Sequence, residues 1–270
     1  MLAGAVAAAG RRRASGASSW TPADLSPEFW IRGDLGHSFA DSDPITAITN
    51  QGSSSNLNLT QGTSSLQGTF DEVQANANGQ SVFAYDGTEN TYGGTSGWPM
   101  SDGDSFTRVI VFGATGGGEK TIACTRQYAT RGGMRIACNT TAASPVFEVV
   151  DSGAAAAMSA TDSTETTPTN TLQVYAMLYT GAVSTSTDTL DARSGGSSLD
   201  SIDSPTDMGA VASSLAREWI IAATATSSGS FQGWIAEDIF VKRAITSGED
   251  ASLTAYLNDR YGLSLTGVTQ

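Results

Sequence analysis

The chain has 270 residues, of which 15% are charged, and its 14 basic against 27 acidic residues give a net charge of −13 at pH 7. That length suits one all-β domain, and the acid excess excludes a broad duplex-binding surface, which needs clustered Lys and Arg to neutralise phosphates. No stretch is long and apolar enough to cross a membrane as a helix, so neither nucleic acid nor membrane insertion is expected.

Residues 1–19 (MLAGAVAAAGRRRASGASS) differ in character from the rest of the chain. A secretory leader carries its positive charges before the apolar run, whereas Arg11, Arg12 and Arg13 come after it, so the segment is expected to be retained. Its Ala/Gly/Ser composition cannot build a core. It reads either as a hydrated leader or as an arm that orders when neighbouring chains hold it. Three guanidiniums that each pair with carboxylates suit an anchoring role for Arg11, Arg12 and Arg13.

From residue 20 onward the sequence predicts short strands. Trp30 and Ile31 are expected in the core on an edge strand, and His37, the only histidine, is expected to be a hydrated loop residue without metal partners. Residues 50–69 are low in complexity, with a weak strand at 56–60. A strand at 82–85 turns at Asp86-Gly87 into the loop 88–105 (TENTYGGTSGWPMSDGDS). There Tyr92 and Trp98 lie near Asp102 and Asp104 among glycines. A sugar site needs rings for the apolar sugar face and carboxylates for hydroxyl hydrogens or a calcium ion, while the same residues would equally serve as a plug over the core. No cofactor is otherwise implied.

Residues 105–114 (SFTRVIVFGA) predict a central strand with Val109 and Val111 on one face and Phe106, Ile110 and Phe112 on the other. Strands at 120–129 and 133–140 flank a hairpin at 130–132. A turn centred on Arg131 sets Cys124 opposite Cys138, as a cross-strand disulfide or as two buried thiols, and assembly inside a cell favours the thiols. Further strands are expected at 145–150 and 172–180, with a polar excursion at 151–170 and a loop region at 190–205. A penultimate strand at 218–226 is expected to pair with the last, 234–242, across residues 227–230. The chain then predicts a helix at 247–262, capped by Ser247 with Asp250, striped by Leu253, Tyr256, Leu257 and Tyr261, and stopped at Gly262. The fold class is all-β, an antiparallel sandwich of jelly-roll type with a short C-terminal helix.

The sequence GWIAEDIF at 233–240, then Ile245-Thr246, then YLNDRYGL at 256–263, resembles the closing segment of concanavalin A-like lectin/glucanase domains of the laminin-G type, known from bacteriophage and bacterial surface proteins. LSPEFWIRGD at 25–34 is similar to the opening of that family, and FAYDG at 83–87 to one of its strands. The resemblance implies an arm at 1–19, a lectin-like sandwich at 20–265 and a tail at 266–270. It implies a non-enzymatic structural protein on the exterior of a bacteriophage virion, assembled in the host cytoplasm. Such a protein would be held by other virion proteins through its arm, be homo-oligomeric, and display a domain for host-surface glycan. The alternatives are a dedicated sugar-binding adhesin and an inactive or divergent glycosidase. Glucanases of this fold carry Glu-x-Asp-x-x-Glu on one strand, and no glutamate here opens that pattern. Glu237 and Asp238 are adjacent on a predicted strand and so point to opposite faces.

Overall fold

A computed structural model of the protein describes residues 20–88, 92–94, 103–125, 133–141, 145–150, 157–162, 166–181, 188–198, 201–202, 219–222 and 230–269. The first strands among these are β1 (Phe29–Arg32), β2 (Ala47–Ile48), β3 (Leu59–Thr60), β4 (Thr69–Gln74), β5 (Gln80–Asp86) and β6 (Tyr92–Gly94). Next come β7 (Phe106–Ala114), β8 (Glu119–Thr125), β9 (Gly133–Asn139), β10 (Val146–Val150), β11 (Ala157–Thr161), β12 (Gln173–Thr180) and β13 (Thr189–Ser194). The series closes with β14 (Ser197–Ser198), β15 (Ser201–Ile202), β16 (Trp219–Ile221), β17 (Gln232–Val241) and a helix, α1 (Ser247–Tyr261).

The strands form two antiparallel sheets packed as a sandwich. Sheet A runs β14-β13-β12-β7-β17-β5-β4, with β1 beside β17, and sheet B runs β15-β11-β10-β9-β8-β16-β6-β3-β2. Their facing surfaces make one large apolar cluster that includes Phe29, Phe83, Phe106, Ile110, Phe112, Ile136, Phe147, Tyr175, Trp219 and Ile235. The other surface of sheet A makes a second cluster, in which Trp30, Val109, Val111, Trp234 and Ile239 meet Leu253, Leu257 and Tyr261 of α1. β7 is therefore buried along its whole length, which is why its sequence runs apolar on both faces. The two faces divide as the residue alternation predicted.

Helix α1 exists because its ends and one stripe are satisfied. Thr246 is the N-cap: its hydroxyl accepts from the Glu249 amide while the Glu249 carboxylate accepts from the Thr246 amide. The predicted pair, Ser247 with Asp250, is thus one residue late. Arg243 donates to both Glu249 oxygens, at 2.6 and 2.8 Å, and holds that carboxyl down at about 2. Asp250 instead accepts from the amides of Val268 and Thr269, which fastens the last described residues to the first turn of α1. Gly262, at φ 66°, supplies the left-handed C-cap. Leu257 is fully buried, so Leu257→Ala should cost about 3 kcal/mol through lost contacts and the cavity left behind. Urea denaturation showing a loss below about 0.5 kcal/mol would mark α1 as peripheral.

Several expectations are corrected. β16 does not pair with β17. It lies in sheet B between β8 and β6, so the chain crosses from one sheet to the other between Ile221 and Gln232. The stretch expected to be a polar excursion contains β11, and the expected loop region at 190–205 contains most of β13 together with β14 and β15. The weak strand at 56–60 shortens to Leu59–Thr60 behind a 3₁₀ turn, Ser55–Leu57. β8 and β9 are neighbours, but Cys138 faces Lys120 and Cys124 faces Arg135, with a register shift between Thr121 and Ala123. Cys138 belongs to the inter-sheet core and Cys124 packs with Ile220 in a separate cluster. Both are buried and they form no disulfide with each other, and burial pushes the Cys138 thiol up to about 12.

Candidate functional site

Strand β17 carries two adjacent acids, Glu237 and Asp238, in its second half. The register of β17 against β7 shifts between Ile235 and Glu237, a bulge that re-aims the next side chains. Glu237 is fully buried on the α1 side, where its carboxylate accepts from Trp30 Nε1 at 2.7 Å, Tyr261 OH at 2.9 Å and Tyr256 OH at 3.0 Å. Arg32 Nη1 donates to the Tyr256 hydroxyl at 2.9 Å, and both Arg32 and Arg260 reach Asp34. Burial pushes the Glu237 carboxyl up, partly offset by the Trp30 donor and the two arginines.

Asp238 is fully buried on the opposite, inter-sheet side. It accepts from Arg108 Nε at 3.0 Å and Nη2 at 2.5 Å, and the Arg108 guanidinium lies 4.2 Å from the centre of the Trp219 ring. Burial raises its carboxyl and Arg108 pulls it back. Each acid is consumed by fixed partners, and the sheet stands between them, so they cannot act together on one bond. Those partners were not evident in the sequence. The available signal was Arg108 itself, a cation inside an apolar strand, which can be buried only with an opposite charge.

The predicted ligand residues are only partly placed. Trp98 and Asp102 lie outside the described residues, as do Arg11, Arg12 and Arg13. Tyr92 sits on β6 with its backbone opposite Ile221. Asp104 is paired with Lys242 Nζ at 3.1 Å, at the end of the sandwich where β7 begins and β17 stops. Among the described residues no three His, Cys, Asp or Glu side chains gather to hold a metal. His37 lies in a loop, as expected, but its half-buried ring is held by protein partners rather than by water alone. Its ring packs 4.8 Å from Phe39 and 4.6 Å from Phe70, with Nε2 2.6 Å from the Gly33 carbonyl and Nδ1 accepting from the Phe39 amide.

What the register does assemble is a row on the outer side of sheet B that is polar and part-exposed at Arg135, Glu148 and Ser159 and fully buried at Ile220 and Cys124. Ile220, Cys124, Arg135, Glu148 and Ser159 lie directly opposite one another on β16, β8, β9, β10 and β11. Adjacent strands are about 4.8 Å apart, so the row runs about 19 Å across the sheet. Arg135 Nη1 donates to Glu148 at 3.1 Å, Nε donates to the Thr121 hydroxyl at 3.0 Å, and Nη2 meets Glu119. The Arg135 side chain is 12% exposed, Glu148 30% and Glu119 46%, so the cluster opens to solvent from one guanidinium outward through two carboxylates. In the next row Ala137 pairs with Val146, and both are buried. A planar cation with N–H donors left over and two part-exposed carboxylates offer both donors and acceptors to a polyhydroxylated ligand.

No family model matches the chain, and no curated protein matches it in sequence. Among solved structures it is similar to domain 4 of AbnA, a GH43 extracellular arabinanase from Geobacillus stearothermophilus in complex with arabinotriose. That match has a TM-score of 0.51 and 9% identity, and covers 82% of this chain and 100% of that one. The Trypanosoma rangeli sialidase in complex with sialic acid matches with a TM-score of 0.48 and 10% identity over 86% of this chain and 32% of that one. The CBM40 of the Ruminococcus gnavus IT-sialidase, bound to α2,3-sialyllactose, matches with a TM-score of 0.44 and 8% identity over 55% of this chain and 80% of that one. The chain spans 24% of the length of the Streptococcus pneumoniae NanB sialidase chain that it also matches. The likeness to the arabinanase domain carries the fold alone, a β-sandwich.

Proposed function

We propose that the chain is a non-catalytic carbohydrate-binding domain whose sugar lies against the outer surface of sheet B at Arg135, Glu148 and Glu119. The observation that carries this reading is the part-exposed cluster that the register builds on β8, β9 and β10, in which one guanidinium is fixed between two carboxylates that keep further lone pairs for sugar hydroxyls. The fold supports it, since the similar arabinanase domain was solved with arabinotriose. Isothermal titration after a glycan-array screen tests it. Arg135→Ala and Glu148→Ala should each weaken the sugar found by tenfold or more, about 1.4 kcal/mol, with circular dichroism unchanged. Variants that bind like the parent would move the site elsewhere.

The proposal includes a carrier. Residues 1–19, with Arg11, Arg12 and Arg13 at their exit, attach the domain to a bacteriophage particle and leave the acidic sandwich outside. Deleting residues 2–19 should give a folded domain that no longer co-purifies with particles, and wild-type occupancy after deletion would end the idea.

A further inference from the structure

Resting on the proposed sugar site, we infer that the domain selects neutral oligosaccharides and rejects carboxylated ones such as sialylated glycans. A sugar carboxylate bound on a protein surface needs a cation able to pair with it, most often a guanidinium in a fork of two hydrogen bonds. Each of the six described arginines already has a carboxylate within 4 Å, as does Lys242, and Lys120 stands opposite Cys138 of the inter-sheet core rather than in the row of Arg135. At the site itself Arg135 directs Nε to Thr121, Nη1 to Glu148 and Nη2 to Glu119, so three of its five N–H donors are engaged and two carboxylates already neutralise it.

The charge of the cluster points the same way. One guanidinium against two carboxylates leaves the cluster at −1, on a chain of net charge −13. An incoming carboxylate would have to displace Glu148 or Glu119 from Arg135 or sit beside them as a third like charge. Neutral hydroxyls meet no such obstacle. A carboxylate offers about four lone-pair positions, and Glu148 and Glu119 each turn one oxygen to Arg135, so each keeps acceptors for hydroxyl donors.

The test is a glycan array on which neutral oligosaccharides, arabinotriose and lactose among them, stand beside carboxylated counterparts such as α2,3-sialyllactose, followed by titration of matched pairs. The parent protein should bind the neutral member at least tenfold more tightly, and the gap should shrink in about 1 M salt, where charges more than about 3 Å apart are screened. In the double variant Glu119→Gln with Glu148→Gln, which leaves Arg135 as the charge of the site, the preference should narrow or reverse. Carboxylated members bound as tightly as their neutral partners by the parent protein would overturn this inference and leave the sugar-binding reading standing. An array without any bound sugar would overturn both.

Discussion

Replacing Asp238 by alanine should lower the unfolding free energy by about 3–5 kcal/mol, because it strands the Arg108 guanidinium between two sheets with no compensating charge. Both partners are fully buried, and among the described residues Arg108 also meets the Trp219 face and the Met134 sulfur, at 3.8 Å from Nη1. Neither contact replaces a carboxylate. The pair itself is a different matter from its rupture: the double replacement Arg108→Met with Asp238→Leu removes both desolvated charges together and should restore most of the loss, or exceed the parent stability by about 1–4 kcal/mol. Urea melts followed by circular dichroism and tryptophan fluorescence decide it. A single-variant loss under about 1 kcal/mol would show that water or backbone movement reaches Arg108.

Glu237→Leu is the second large effect expected, about 4 kcal/mol. The buried donors of Trp30 and Tyr261, and the half-buried hydroxyl of Tyr256, all lose one acceptor, at roughly 1–3 kcal/mol for each group left unsatisfied. The variant also tests a pH dependence whose sign is fixed by the direction of the shift. Burial raises the Glu237 carboxyl above its usual range in the folded state. The stability it contributes is therefore fully present below its unfolded pKa and is lost as pH rises through the folded value. Glu237→Leu should flatten that slope. A parent and variant with parallel stability profiles between pH 4 and 8 would mean that Glu237 keeps one protonation state throughout.

The parts of the fold legible in the sequence were those where one local pattern had one meaning. β7 alternates Phe106, Ile110 and Phe112 with Val109 and Val111, and both faces are buried, so its strand character and its two-sided burial could be read together. Helix α1 combined a helical stripe with a terminal glycine. β11 was invisible because it carries only Met158 and Ala160 to the inner face among Ala, Ser and Thr. The pairing of β16 failed for a different reason. Nearness in sequence suggested a hairpin, whereas a sandwich buries Trp219 and Ile221 by sending that strand to the other sheet.

The candidate site was less legible still. Arg135 and Glu148 stand on different strands, 13 residues apart, and each alone resembles an ordinary hydrated charge. Only the β9–β10 register makes them neighbours, and register depends on turn lengths and bulges that composition does not reveal. The same limit misplaced Cys124: the register sets Lys120, four residues earlier, opposite Cys138, and the one-residue shift between Thr121 and Ala123 leaves Cys124 opposite Arg135. By contrast, the opposite orientations of Glu237 and Asp238 followed from the strand period alone, and their separate partners agree with it.

The fastening of Thr269 to Asp250 has a counterpart at the other end of the described chain, where the Trp20 ring lies 6.0 Å from that of Tyr256. Asp250 and Tyr256 are six residues apart on α1, about 9 Å along the helix axis. Trp20 and Thr269, the two ends of the described chain, are therefore both held on α1. Such a domain can be spliced into a surface loop of a host protein as a single cassette, or circularly permuted by joining the two ends with a short flexible bridge, without disturbing either sheet. The outer surface of sheet B, on the far side of the sandwich from α1, would still point away from whatever carries it.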